Sequence, residues 1–145
     1  ISAKEKDNLD EVLTVLDENL PEGPQYFPDD MITDQPERLI ISDIVREKIL
    51  LATRDEIPHA IAVDVDEMKT REDGTTYVRA TIYCERDSQK GIIIGRRGAL
   101  LKELGAAARA DIQRLLATKV YLDLWVKVKK DWRNKSGMLS ELGYK

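Results

Sequence analysis

Gly91-Ile92-Ile93-Ile94-Gly95-Arg96-Arg97-Gly98-Ala99-Leu100-Leu101 is the stretch whose reading decides the fold. A short apolar run ends at a glycine, two arginines form a tip, and a second glycine opens another apolar run. Gly95 and Gly98 let the backbone come close to a sugar-phosphate chain, where a Cβ would collide. The unpaired N–H groups at the start of the following helix favour phosphate oxygens. Arg96 and Arg97 add charge and forked donors, and Ile92, Ile93 and Ile94 offer a surface for unstacked bases. A bare Gly-x-x-Gly most often marks only a turn. Here the context adds to it, with a helix on each side and strands beyond both, as in the loop that clamps about four nucleotides of RNA backbone.

Working outward, Ser88 is expected to cap a short helix that stops at Gly95. A long helix after Gly98 carries Leu101, Leu104, Ala108, Ile112 and Leu115 as its inner stripe. Upstream, Ile61, Val63 and Val65 alternate with Ala62, Asp64 and Asp66. Arg71-Glu72-Asp73-Gly74 is a turn. Thr75 to Glu85 then places Val78, Ala80, Ile82 and Cys84 on one face and Tyr77, Arg79, Thr81 and Tyr83 on the other. These two strands predict an antiparallel hairpin. Downstream, Val120, Leu122, Leu124, Val126 and Val128 alternate with Tyr121, Trp125 and Lys127 in a third strand, and residues 132–142 suit a last short helix.

The front of the chain is different. Asp7 is placed to cap a helix with Leu9, Val12, Leu13, Leu16 and Leu20 at helical spacing, ended by Pro21. Residues 21–34 read as a linker rich in Pro, Gly and Asp, with Tyr26 and Phe27 as docking points. Asp34 and Pro36 open a second helix striped by Ile40, Ile44 and Ile49, which ends near Thr53 ahead of Pro58. Three strands with helices on one face make an α+β two-layer sandwich.

Composition limits the function. At 145 residues, 42% hydrophobic and 34% charged, the chain holds one domain with a real core and a short lead-in. No apolar run approaches the ~20 residues of a membrane span, and the N-terminus lacks a signal-peptide layout. The single cysteine, Cys84, excludes an internal disulfide and a cysteine-cluster metal site, and fits a reducing cytoplasm. Residues 1–87 hold 10 Lys+Arg against 22 Asp+Glu, whereas residues 88–145 hold 13 against 5. A net charge of −4 thus hides an acidic front and a basic back, as expected of a polyanion site confined to one region.

Other candidates are weaker. His59, the only histidine, has no partners for a catalytic triad and reads as a turn or packing residue. Asp64 and Asp66 share a strand face and are expected to be solvated. Lys127, Lys129 and Lys130 near Trp125 and Trp132 suit either RNA or an ordinary wet strand face.

Taken together, these segments resemble a type II KH domain. They are more similar still to the C-terminal half of the Era family of bacterial GTPases. The resemblance is carried by Phe27-Pro28-Asp29-Asp30-Met31-Ile32-Thr33-Asp34, Arg46-Glu47-Lys48, Glu56-Ile57-Pro58-His59, Ile93-Ile94-Gly95-Arg96-Arg97-Gly98, Leu124-Trp125-Val126-Lys127-Val128-Lys129 with Trp132, and Leu142-Gly143-Tyr144. It implies a three-stranded mixed sheet packed on helices, with residues 35–145 as the KH domain, 21–34 as a linker and 1–20 as the closing helix of a GTPase domain. Ile1-Ser2-Ala3-Lys4 resembles that family's last guanine-contact motif. The phosphate loop and the Asn-Lys-x-Asp motif are missing, so this chain is expected to be no enzyme and to need no cofactor, with GTP and magnesium belonging to a full-length parent.

The implied function is binding of single-stranded RNA, specifically the 3′ end of small-subunit ribosomal RNA, in assembly of the small ribosomal subunit. Gly95, Arg96, Arg97 and Gly98 would grip phosphates, Ile92 to Ile94 would meet bases, and Lys90 and Lys102 would flank the strand. No DNA partner and no metal site is expected. A cytoplasmic location follows, with membrane-surface association possible only for the parent. The tip departs from the many KH loops that pair one basic with one small or polar residue. Two rival readings stay open, a protein-docking module using the groove or the Tyr26-Phe27 linker, and an enzyme, either a hydrolase built on the acidic cluster or a residual GTPase.

Overall fold

The computed structural model describes residues 1–24, 36–54, 56–134 and 137. The chain divides into two compact units, Ile1–Asp34 and Gln35–Lys145.

In the first unit, α1 spans Leu9–Asn19 and gives way to extended backbone at Leu20, just before Pro21. Its cap is not the expected Asp7. Asn8 occupies the N-cap in the left-handed region, while Asp7 forms a small antiparallel bridge with Ser2. The helical spacing of apolar residues is real, yet none of α1 is buried, and Leu13, Leu16 and Leu20 are exposed. The Tyr26-Phe27 docking expectation falls outside the described residues.

In the second unit, α2 (Glu37–Ala52) precedes β1 (Ala62–Thr70) and β2 (Thr76–Cys84), which pair antiparallel. After β2 come α3 (Asp87–Ile94), a 3-10 turn at Arg96–Gly98, and α4 (Ala99–Leu116). β3 (Val120–Val128) then pairs parallel to β2, giving a three-stranded mixed sheet in the order β1-β2-β3. A 3-10 turn at Trp132–Asn134 follows; the rest of the helix expected over 132–142 lies outside the described residues, apart from residue 137.

The core lies between the sheet and the helices. Alternation places Val78, Ala80, Ile82 and Cys84 of β2 against it, all fully buried. Ile41, Val45 and Ile49 of α2, Ile93 of α3, and Leu104, Ala108 and Ile112 of α4 close over them. The α2 stripe is centred one residue from expectation, leaving Ile40 and Ile44 half-buried. At the end of α4, Leu116 packs on the core while Leu115 is exposed. Lys48 of α2 reaches Asp111 of α4 at 2.5 Å and ties the two helices together.

Two local readings are corrected. Ser88 does not cap α3. The Gln89 side chain folds back, and its Oε1 accepts from the backbone N–H groups of Glu85 (2.9 Å) and Arg86 (3.1 Å). The alternation through Asp64 and Asp66 also breaks, although Asp66 is exposed as expected. A β-bulge between Val65 and Glu67 breaks the period, and the Asp66 carboxylate accepts a 2.6 Å hydrogen bond from Thr81, which is wholly buried. The bulge returns Met68 to the core side opposite Val78.

Trp132 and Trp125 play different parts. Trp132 is buried and donates to the Ala60 carbonyl at 3.3 Å, while Arg133 binds Glu85 and the His59 carbonyl. His59 serves this turn through its backbone carbonyl, and the residue itself is exposed. Trp125 stands on the outer sheet face, 53% exposed.

Candidate nucleic-acid interface

The Gly-Arg-Arg-Gly turn is fixed by its backbone. Gly95 has φ 74° and ψ 177°, and a Cβ there would lie 2.7 Å from Leu100 Cβ and 2.9 Å from Leu100 N. Only glycine fits. Arg97 also has positive φ (53°), and Gly98 (φ 80°) is the left-handed N-cap of α4. Gly98 N–H donates to the Gly95 carbonyl at 3.2 Å, which closes the turn on itself. No side chain caps α4, so its first turn keeps N–H groups available to an anion. Arg96 and Arg97 are both exposed at the tip, and neither enters an ion pair among the described residues.

The isoleucine triplet is split three ways. Ile92 is 52% exposed beside the loop, Ile94 is half-buried against the core, and Ile93 is fully buried. Helical geometry turns successive side chains about 100° apart, so three neighbours cannot share one face. Ile93 therefore holds α3 to the core and offers nothing to a base.

A groove runs along the helix after the loop. It encloses about 420 Å³ between α4 and the edge strand β3, lined by Leu101, Lys102, Gly105 and Arg109 with Leu122 and Leu124. Gly98 lies at its end, so loop and groove are continuous. A Cβ on Gly105 would lie 3.4 Å from Leu124 Cδ1, in van der Waals contact across the groove floor. Lys102 is exposed on the groove wall, and Lys90 is half-buried on α3.

Arg109, Gly105, Leu122 and Leu124 were missed from sequence. A signal was present: Gly98, Leu101, Lys102, Gly105 and Arg109 follow one helical stripe, and a mid-helix glycine costs roughly 0.5–1 kcal/mol relative to alanine.

Among the described residues no group of three or more His, Cys, Asp or Glu side chains is placed to hold a metal. Cys84 is buried, and burial pushes its thiol above the ordinary range. Among the described residues no helix is long and apolar enough to cross a membrane.

The KH domain family matches residues 56–133, which hold β1, β2, the loop, α4 and β3. The GTPase Era of Ruminiclostridium cellulolyticum is 54% identical over 145 residues, covering 100% of this chain and 49% of that protein. The GTPase Era of Staphylococcus haemolyticus is 58% identical over 144 residues, covering 99% and 48%. The chain spans about half the length of the curated relatives it matches. Among solved structures, an Aquifex aeolicus Era variant bound to GDP.AlF4- superposes with TM-score 0.93 at 43% identity, over 99% of this chain and 48% of that one. An Era in complex with MgGDPNP and nucleotides 1506–1542 of 16S ribosomal RNA gives TM-score 0.94, again at 43% identity over 99% and 48%.

Proposed function

The chain belongs to the KH domain family, and from that footing we propose that it grips single-stranded RNA. Gly95 to Gly98 hold the sugar-phosphate backbone, and the groove between α4 and β3 receives the bases. The observation that carries this reading is the Gly95 turn, which no side chain can enter, with two exposed arginines at its tip and an open groove beyond it. Backbone contacts position the strand, and the groove supplies base preference.

The RNA is the 3′ end of small-subunit ribosomal RNA, and the setting is assembly of that subunit in the cytoplasm. Support comes from a solved Era that holds nucleotides 1506–1542 of 16S ribosomal RNA. Residues 1–20 are the closing helix of a GTPase domain, 21–34 a linker and 35–145 the RNA-binding domain. The exposed apolar side of α1 and the division of the chain after Asp34 support that partition. In this reading GTP and magnesium belong to the remainder of a longer parent, and this chain makes and breaks no bond.

The test is binding of a labelled copy of that ribosomal 3′ end by the wild type and by R96D/R97D across a salt series. The wild type is expected to bind with a steep salt dependence. In the variant the slope should be shallower by about 0.7 for each phosphate that is no longer gripped. Equal affinities and equal slopes for the two proteins would move the clamp off this loop.

A further inference from the structure

The face of the sheet turned away from the helices carries an ordered aromatic and cationic layer that the loop and groove leave unused. Tyr77 and Tyr121 are direct partners in the β2–β3 register, and their rings stack 5.8 Å apart at 17°. The Arg71 guanidinium lies 5.1 Å from one ring centre and 4.9 Å from the other. Further along β3, Trp125 donates through Nε1 to Asp123 Oδ2 at 3.0 Å. Tyr121 is 54% exposed and Trp125 53% exposed, so two large rings are held in fixed positions while facing water.

The acids of this face are occupied. Asp123 also accepts from Tyr77 Oη at 3.0 Å and Arg79 Nε at 3.3 Å. Glu67 pairs with Lys69 at 2.8 Å, and Asp66 accepts from Thr81. Burial pushes the Asp123 carboxyl up, but the bonds from Trp125, Tyr77 and Arg79 outweigh it and hold it below the ordinary range. Arg71, Lys127 and Lys129 enter no ion pair among the described residues, and Lys129 lies 5.5 Å over the Tyr83 ring. The layer therefore offers π surfaces beside three cations that enter no ion pair, the chemistry that holds a single strand by stacking and phosphate contact.

Position names the occupant. Leu122 and Leu124 line the groove on one side of β3, and Tyr121 and Trp125 alternate with them on the other. β3 is the sheet edge, so a strand leaving the groove reaches these rings by passing one β-strand's width. Tyr121 and Trp125 are about 13 Å apart along the strand, which leaves room for successive unstacked bases.

We propose that the outer face of β2 and β3 is a second, sequence-tolerant landing surface for single-stranded RNA, continuing the groove around the edge of the sheet. This rests on the RNA-binding reading above.

The experiment measures anisotropy of labelled oligouridylates of about five and about fifteen nucleotides, one groove-length and one long enough to wrap. The full chain is compared with Y121A/W125A and with Y121F/W125F, thermal melts showing that each variant is folded. The alanine pair is expected to weaken the longer RNA by about tenfold or more and leave the shorter unchanged, with phenylalanine restoring most of the loss. If the length advantage is the same in all three proteins, the face does not bind RNA. If both lengths weaken equally, the rings act only by supporting β3 and the proposal fails while the groove reading stands. If the wild type binds neither length, the sequence-tolerant surface fails, and the groove reading is decided by the ribosomal 3′ end titration above.

Discussion

A Cβ at position 95 would stand 2.7 Å from the Cβ of Leu100, so the residue opening the loop and the second residue of α4 exclude any side chain between them. Gly98, at the other end of the turn, has the same sign of φ but open space where its Cβ would go. The two glycines are therefore required for different reasons, and their substitutions separate.

Gly95→Ala is expected to cost roughly 2–4 kcal/mol, from a disfavoured φ combined with a collision. Gly98→Ala is expected to cost about 1 kcal/mol, from the φ alone. Urea unfolding of the two variants checks this order. Equal costs would mean that the turn relaxes around position 95.

The split isoleucines give a second separation. Ile93→Ala removes a wholly buried side chain and is expected to cost roughly 2–5 kcal/mol of stability. Ile92→Ala removes a half-exposed one, with a stability change within about 0.5 kcal/mol. In RNA titrations of the folded variants, the substitution at Ile92 is the one expected to weaken binding. A stable Ile92→Ala variant with undiminished affinity would remove that residue from the interface.

Acid sensitivity follows from the tie between α2 and α4. The hydrogen bond from Lys48 holds the Asp111 carboxyl below the ordinary range, and its bonds to Asp111 and Glu47 raise the Lys48 ammonium. Asp111 thus contributes stability that is complete above an unfolded value of about 3.9 and is lost as pH falls through the lower folded value. Lys48 contributes stability present below about 10.4 and lost as pH rises through its higher folded value. Melting curves of D111N are expected to show a flatter decline below about pH 4 than the wild type. Parallel declines would show that other carboxylates govern the acid limb.

Ala117 ends α4 with φ 49° and ψ 30°, a left-handed conformation that costs a side chain. Ala117→Gly relieves that strain and is expected to raise stability by about 1 kcal/mol, read as a higher melting temperature. A lower melting temperature would show that the added freedom of the unfolded chain outweighs the relief.

The strands and helices were legible because their periods differ and each buries one face. Val78, Ala80, Ile82 and Cys84 repeat every second residue, while Leu104, Ala108 and Ile112 repeat every fourth, and all seven are buried. Direction of pairing is another matter. Alternation in Val120–Val128 reads the same whether the strand runs with or against β2, and the parallel arrangement was implied only by family resemblance. The bulge at Asp66 and the fold-back of Gln89 depend on partners distant in space or on backbone angles, which no local period encodes. The loop was legible because glycine pairs and arginines have few structural uses in that combination. The groove was not legible, because its far wall, Leu122 and Leu124, comes from a strand that lies well beyond the loop in sequence.

Parallel pairing of β2 and β3 has a consequence for how the loop persists. Two parallel neighbours cannot be joined by a tight hairpin, so the chain must travel back the length of the sheet before β3 can dock. The Gly95 turn lies on that return journey. Its unfavourable backbone angles therefore sit inside the long connection that the β2–β3 pairing closes. The turn is less a flap hung on a finished body than a stitch inside the seam that joins two parallel strands.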